Sequence, residues 1–260
     1  MEVVVCKDYD EVSAEAAAMM ADLVRTKPDA VLGFATGSSP VGLYKALIRL
    51  HKEEALDFSK VTTFNLDEYC NLGSDHPQSY RTFMNDNLFD HVNVPRANTH
   101  VPSGTVEGWP AQCAAYEQQI ADAGGIDLQV LGIGSDGHIA FNEPGSSLGS
   151  RTRLVYLTRQ TIADNSRFFE KEEDVPRTAI SMGVGSILEA RQCLVVVNGA
   201  NKAPALAAAV EGPVTCMITA SALQLHPDTI LFCDEAAAAQ LTMREYYDWI
   251  QQQKQADKTT

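Results

Sequence analysis

The chain has 260 residues, of which 45% are hydrophobic and 21% charged. These proportions are typical of a globular protein and exclude collagen, coiled coil and intrinsic disorder, and the length suits one large α/β domain. The 34 acidic residues outnumber the 20 basic ones, which gives a net charge of −14. Because this charge repels phosphate backbones and anionic lipids, we expect no nucleic acid and no membrane surface as a partner.

The six cysteines show neither a CxxC nor a CxxH spacing. We therefore expect reduced thiols, a cytoplasmic location and no cysteine-based metal site. Residues 1–7 contain an acid at position 2 and only a very short apolar run, so we expect no signal peptide. No apolar run reaches membrane-spanning length.

Short apolar runs alternate along the chain with segments in which apolar residues recur at helical spacing. The predicted strands are residues 3–6 (an edge strand), 30–34, 61–66, 128–132, 154–157, 193–197 and 230–233. The predicted helices are residues 9–25, 40–52, 77–88, 111–123, 202–210 and 242–253, followed by a polar tail over 255–260. This alternation predicts a single α/β domain whose mostly parallel sheet carries helices on both faces.

One long polar stretch, residues 159–177, interrupts the alternation. It has two interpretations. A solvated surface helix is the one that composition favours. A mobile lid over a binding site is the functional alternative.

Ligands bind open α/β sheets where the strands end, and the first notable strand exit contains Thr36, Gly37, Ser38 and Ser39. Small residues let backbone N–H groups approach an anion, and a helix beginning near Pro40 directs its positive end to the same place. An ordinary glycine turn with a capping serine fits this segment equally well. A Walker A loop does not, because the GK[ST] ending is missing.

Two adjacent acids, Asp67 and Glu68, follow the third predicted strand. Neighbouring side chains on extended backbone point to opposite sides, so we do not expect both to face one pocket. A carboxylate at a strand exit is a candidate general base. Taken alone, the segment favours the alternative role of a helix N-cap.

The loop after the strand at 128–132 contains Asp136, His138 and Glu143 within eight residues. Flanking carboxylates stabilise an imidazolium and orient the ring, which suits proton transfer to a sugar oxygen. A lone histidine would more often be structural, but the paired acids at a strand exit favour a function. The other five histidines show no ligand spacing, and we predict no metal site.

Two motif matches in the same region are predicted to be fortuitous. The GxGxxG match at 132–137 lacks room for the helix that a dinucleotide fingerprint requires, because Pro144 and Gly145 follow closely. The GxSxG match at 145–149 does not leave a strand, as an esterase elbow must.

Several segments together resemble glucosamine-6-phosphate deaminase, and the resemblance extends roughly over residues 3–234. The most specific segments are TFNLDEY at 63–69, GHIAFNEP at 137–144 and NSRFF at 165–169, with SMGVG at 181–185 and LQLHP at 223–227. The resemblance implies a modified doubly wound fold. It also implies a hydrolase of amino-sugar catabolism that converts glucosamine 6-phosphate into fructose 6-phosphate and ammonia.

By the same resemblance, Asp67 corresponds to the base that acts at C2 of the sugar. His138 corresponds to the acid and base that opens the ring, and Asp136 and Glu143 correspond to its partners. Isomerisation with deamination needs no electron sink, so we expect no cofactor.

The resemblance further assigns the loop 35–39, Arg167 and Lys202 to a phosphate site, and the segment 158–180 to a lid. It allows a homo-oligomer. Ser146 and Arg153 match positions that hold an activator in some family members, but Val155 stands where those members have a lysine. This departure weakens the expectation of allosteric activation.

Two rival functions share this fold. A 6-phosphogluconolactonase would bind a similar phosphosugar, but the acid pair after Asn65 and the Asn142-Glu143-Pro144 segment favour the deaminase. A phosphosugar-sensing regulator would need an appended DNA-binding module, for which we expect no segment in this acidic chain.

Overall fold

The computed structural model describes residues 1–258, which form ten strands and eight α-helices. The strands are β1 Glu2–Cys6, β2 Val31–Phe34, β3 Thr62–Asn65, β4 Asp67–Tyr69, β5 Thr99–His100, β6 Leu128–Leu131, β7 Arg153–Tyr156, β8 Thr178–Ser181, β9 Gln192–Val197 and β10 Thr229–Asp234. The helices are α1 Tyr9–Thr26, α2 Val41–Glu54, α3 Tyr80–Asn87, α4 Trp109–Asp122, α5 Arg159–Asn165, α6 Val184–Leu188, α7 Ala203–Val210 and α8 Arg244–Lys258.

Seven strands form the main sheet in the order β1-β10-β9-β6-β2-β3-β5, and every pair in it is parallel. This confirms the predicted parallel sheet and the edge position of β1. From β2 the chain proceeds to β3 on one side, whereas from β6 it proceeds to β9 on the other. The direction therefore reverses between β6 and β2, and a cleft opens at the strand ends there.

Helices cover both faces of the main sheet, as predicted. Phe34 pairs with Asn65 and therefore lies on one face, where the Tyr44 ring of α2 packs edge-on against it at 5.5 Å. Phe64 pairs with Gly33 on the opposite face, where the Tyr116 ring of α4 packs at 5.7 Å. Alternation along each strand thus buries both faces of this sheet.

A second sheet of three antiparallel strands, in the order β4-β8-β7, was not predicted as a unit. Asp67 of β4 and Arg153 of β7 both pair with Ser181 of β8. Sequence analysis missed β4 because it is only three residues long and follows β3 after one residue, without a turn signal. The predicted strand at 154–157 is β7, shifted by one residue.

Several predicted helix bounds are corrected. The helix predicted at 77–88 begins only at Tyr80, because the side chain of Ser79 accepts a hydrogen bond from the Thr82 N–H and caps it. The helix predicted at 202–210 begins at Ala203, after a 3₁₀ turn at Ala200–Lys202. The tail predicted at 255–260 is helical through 258, and its last two residues lie outside the described part of the chain.

Candidate active site

A cavity of about 640 Å³ lies at the carboxyl ends of β2, β3, β6 and β9. These four strands are neighbours in the main sheet. Eight of the ten predicted catalytic and phosphate-binding residues line this cavity, the exceptions being Asp136 and Glu143. The eight are Thr36, Gly37, Ser38, Ser39, Asp67, His138, Arg167 and Lys202, and Asp136 contacts His138 directly.

The loop after β2 is held in place by hydrogen bonds with the Tyr9 hydroxyl. The Tyr9 hydroxyl donates to the backbone oxygens of Ser38 and Ser39 at 3.0 and 2.9 Å, and it accepts from the Gly42 N–H at 2.7 Å. Gly37 has a φ of +96°, a conformation that side-chain-bearing residues rarely adopt. The helix α2 begins at Val41, immediately after this loop, as the sequence predicts, and anion binding by the loop stays a prediction.

Asp67 lies where the chain leaves the main sheet for the small one. Its carboxylate lines the cavity although the residue is only 6% exposed. Burial first, and then the charge of Glu68, raise the pKa of Asp67 from 3.8 to about 8. No hydrogen bond from the described residues opposes this shift. A carboxyl group in such surroundings can take up and release a proton near neutral pH.

Glu68 has a different function in the structure. Its carboxylate is buried and accepts hydrogen bonds from the backbone N–H groups of Tyr69, Tyr80 and Arg81 at 2.8, 2.9 and 3.0 Å. Burial raises the pKa of Glu68, although these N–H groups oppose the shift. The N-cap role that the segment favoured from sequence is wrong, because residues 67–69 form the strand β4 and Ser79 is the N-cap of α3. Glu68 instead accepts from the first N–H groups of α3, while Asp67 faces the cavity.

His138 lies between two carboxylates, as its sequence neighbours predict. Its Nδ1 atom is 2.7 Å from Asp136 Oδ1 and 3.7 Å from Glu143 Oε2. Neither contact is a linear hydrogen bond, because the Asp136 oxygen lies off the N–H direction and the Glu143 oxygen lies beyond hydrogen-bond distance. Burial alone would raise the pKa of Asp136, but the contacts with His138 outweigh it and hold that pKa below its usual value.

The backbone around His138 depends on two glycines. A Cβ atom on Gly134 would lie 2.4 Å from the imidazole Cε1, so only glycine admits the ring in its observed place. Gly137 has a φ of +88°. No helix follows these glycines before α5, which confirms that the GxGxxG match is not a dinucleotide fingerprint.

The Asp136, His138 and Glu143 side chains place one donor atom each within 4.8 Å of the others. A divalent cation could be held by such a set, although carboxylates flanking an imidazole serve equally well to orient it. The sequence predicts no metal here, and this stays a prediction.

Two cations reach the cavity from separate elements. Arg167 lies in the 3₁₀ turn Ser166–Phe168, with its guanidinium carbon 4.7 Å from the centre of the Phe168 ring. Lys202 is at the N-cap of α7, and burial lowers its pKa. A cation at the positive end of a helix is unfavourable by itself but fits a site that receives an anion.

The polar segment predicted as a lid consists of α5, 3₁₀ turns at Ser166–Phe168 and Glu172–Asp174, and the start of β8. The Thr158 N–H donates to Glu143 Oε1 at 3.1 Å and so connects this segment to the histidine loop. Residues 178–180 belong to a paired strand, so a mobile segment would end before them.

The sequence analysis missed several polar residues that line the cavity. They are Tyr80, Ser135, Gln160, Asp164, Asn165, Asn198 and Asn201. Asn198 and Asn201 lie in the loop after β9, so their position at a strand exit was the available signal. Ser146 and Arg153, the two residues that match activator positions in the sequence, are also in contact, because Arg153 donates to Ser146 Oγ at 3.1 Å.

Comparisons with known proteins identify the family of the chain. Residues 8–231 match a family described as glucosamine-6-phosphate isomerases/6-phosphogluconolactonase. The chain belongs to this family. A glucosamine-6-phosphate deaminase of Shewanella woodyi is 50% identical over 255 residues, covering 98% of this chain and 97% of the relative. One from Clostridium perfringens is 51% identical over 238 residues, covering 92% and 98%.

Solved structures with the same fold include two enzymes named for their action on sugar phosphates or their lactones. A monomeric glucosamine-6-phosphate deaminase has a TM-score of 0.91 and 44% identity, covering 92% of this chain and all of the other. A 6-phosphogluconolactonase of Trypanosoma brucei has a TM-score of 0.74 at 19% identity, covering 93% and 98%, and indicates the fold alone. Within residues 1–258, no helix is both long and apolar enough to cross a membrane.

Proposed function

We propose that the chain converts glucosamine 6-phosphate into fructose 6-phosphate and ammonia, with Asp67 and His138 as its catalytic residues. The observation that carries this proposal is that the buried carboxyl group of Asp67 and the imidazole of His138 line the same cavity. The imidazole also contacts the carboxylate of Asp136. The two groups differ in what surrounds them, which suits two separate proton transfers.

His138 opens the sugar ring. The substrate is mostly a closed pyranose, so a proton must pass from the C1 hydroxyl to the ring oxygen before the carbonyl is exposed. The imidazole can do both steps because its ring nitrogen can accept a proton from one oxygen and donate it to another. Asp136 and Glu143 orient the ring and stabilise its cationic form through Nδ1, which leaves the other ring nitrogen for the sugar.

Asp67 then acts at C2. The C1 aldehyde acidifies the C2 proton, and the Asp67 carboxylate removes it, giving an enolamine. Protonation at C1 converts the enolamine into a C2 imine, and water adds to the imine carbon and displaces ammonia. The atoms balance without a redox step, so no redox cofactor enters this reaction.

Phosphate binding by the loop after β2, Arg167 and Lys202 anchors the far end of the sugar. Arg167 can offer two parallel N–H donors and Lys202 a compact charge. Binding energy from this remote group holds C1 and C2 against the two catalytic residues. The segment from α5 to residue 177 would close over the bound sugar.

The decisive experiment supplies glucosamine 6-phosphate to the purified protein without added metal and measures ammonium and fructose 6-phosphate. We expect both products in equal amounts. A matched assay with 6-phosphogluconolactone distinguishes the family's second activity. Hydrolysis of the lactone without release of ammonia, or phosphosugar binding without turnover, would contradict the proposal.

We further propose a cytoplasmic location, because the substrate is a phosphorylated metabolite and the five buried cysteines are unpaired. The resemblance allows a homo-oligomer, whereas one solved relative is described as monomeric. Light scattering of the purified chain will distinguish a particle of 28.2 kDa from a multiple of that mass.

A further inference from the structure

The short helix α5, Arg159–Asn165, is attached at both ends to the loop that carries the catalytic imidazole. At its N-cap, the Thr158 N–H and hydroxyl donate to Glu143 at 3.1 and 3.4 Å. In its last turn, the Asp164 carboxylate accepts from the Ser135 hydroxyl at 2.8 Å. Because Ser135 and Glu143 lie on either side of the imidazole in the sequence, the two attachments couple the helix to that loop.

Asp164 brings a negative charge into a cavity whose cations are assigned to phosphate. One of its oxygens accepts from Ser135 and the other from Gln160 at 2.8 Å, so the carboxylate is held in place. Asp164 lines the same cavity as Arg167 and Lys202. Among the acids that act on Lys202, Asp164 acts most strongly, ahead of the catalytic-loop aspartate.

We propose that Asp164 is a latch that holds the helix α5 to the catalytic loop through Ser135 and, by its charge, weakens the binding of phosphate beside Lys202. The inference rests on the phosphate subsite of the proposed function. A phosphate dianion entering this cavity must approach a carboxylate as well as two cations, and like charges in one site repel. Asp164 is solvent-exposed, so screening keeps the expected effect modest.

The charge is tested by Asp164→Asn, which keeps a carbonyl oxygen for the Ser135 hydroxyl and removes the negative charge. The probe is inorganic phosphate, measured as a competitive inhibitor of turnover. We expect its inhibition constant to fall by about 2- to 5-fold at low ionic strength, with a smaller change in about 0.5 M salt. An unchanged or higher inhibition constant at low salt would overturn the electrostatic role.

The latch is tested by Ser135→Ala, which keeps the Asp164 charge and removes the hydrogen bond. We expect backbone hydrogen exchange in residues 159–165 to become several-fold faster, because one of the two attachments is lost. The inhibition constant of inorganic phosphate should not fall. Exchange at the wild-type rate would show that this contact does not hold the helix.

Two further variants make the outcome specific. Asp174→Asn removes the same charge from an exposed turn of the same segment, outside the cavity lining, and should leave phosphate inhibition unchanged. Equal tightening in that variant would assign the effect to net charge and overturn the proposal. Lys202→Ala tests the subsite itself. If it weakens phosphate inhibition while Asp164→Asn has no effect, the subsite stands and this inference falls; if neither has an effect, both fall.

Discussion

The two aspartates of the site occupy opposite environments. Asp67 lies at the start of the small antiparallel sheet, buried, with its pKa raised to about 8. Asp136 lies in the loop after β6, 2.7 Å from the His138 imidazole, with its pKa lowered. Identical side chains thus favour different protonation states, because one is dehydrated beside another acid and the other is paired with a base. Position in the fold, rather than residue type, therefore sets the protonation state that each aspartate favours.

The largest loss of activity is expected from substitution of Asp67, the buried aspartate. Asp67→Asn removes the base at C2 and should lower kcat by about 10³-fold. It should also abolish exchange of the C2 hydrogen with solvent deuterium, followed by NMR. Competitive inhibition by inorganic phosphate serves as the control and should be retained. Exchange at the wild-type rate would exclude Asp67 as the base.

The surroundings of Asp136 are tested by substitution of His138, whose imidazole contacts the Asp136 carboxylate. His138→Gln removes the group that moves the ring-opening proton and should lower kcat by about 10²-fold. A smaller loss than for Asp67→Asn is expected because a fraction of the sugar opens in water without the enzyme. Added open-chain substrate analogue should therefore be turned over better, relative to the wild type, than the closed sugar. Unchanged turnover of the closed sugar would refute this role.

The comparison also predicts opposite effects on stability. Because the pKa of Asp67 is raised by folding, its favourable contribution is present below about pH 4 and is lost as the pH rises through about 8. Asp67→Asn should therefore stabilise the fold by about 2–4 kcal/mol at pH 7.5 and by little near pH 4. Asp136→Asn should instead destabilise it by about 1 kcal/mol at neutral pH, and this loss should shrink as the pH falls below about 4.

Urea titrations of both variants and the wild type at about pH 3, 4, 6 and 7.5 check these signs. Two aspartate substitutions that destabilise the protein equally at every pH would remove the contrast between the regions.

The smallest effect concerns the acid beside Asp67. Glu68→Gln removes one negative charge and should lower the pKa of Asp67 by less than about one unit, because burial is the larger cause. The acidic limb of the kcat/KM profile should move to lower pH by that amount. Glu68→Asp keeps the charge and is the matched control. An unmoved limb in a folded Glu68→Gln protein would show that burial alone sets this pKa.

The sequence predicted the parallel sheet because each buried strand is a continuous apolar run bounded by turn residues. It also predicted the strand exits that form the cavity. It could not separate Asp67 from Glu68, since the distinction arises from N–H groups at Tyr80 and Arg81, twelve and thirteen residues further along the chain. The contact between Asp164 and Ser135 spans 29 residues and follows no local periodicity.

The chain passes from β3 of the main sheet to β4 of the small sheet, so both sheets contribute residues to the proposed sugar-phosphate site. In the proposed function, the loop after β2 of the main sheet helps to bind the phosphate, and the small sheet begins with Asp67, the proposed base at C2. Mutations in the small sheet can thus alter the chemistry while phosphate binding is retained. This architecture is suited to evolutionary diversification. One ancestral fold can acquire new reactions on phosphorylated carbohydrates while it retains the phosphate site.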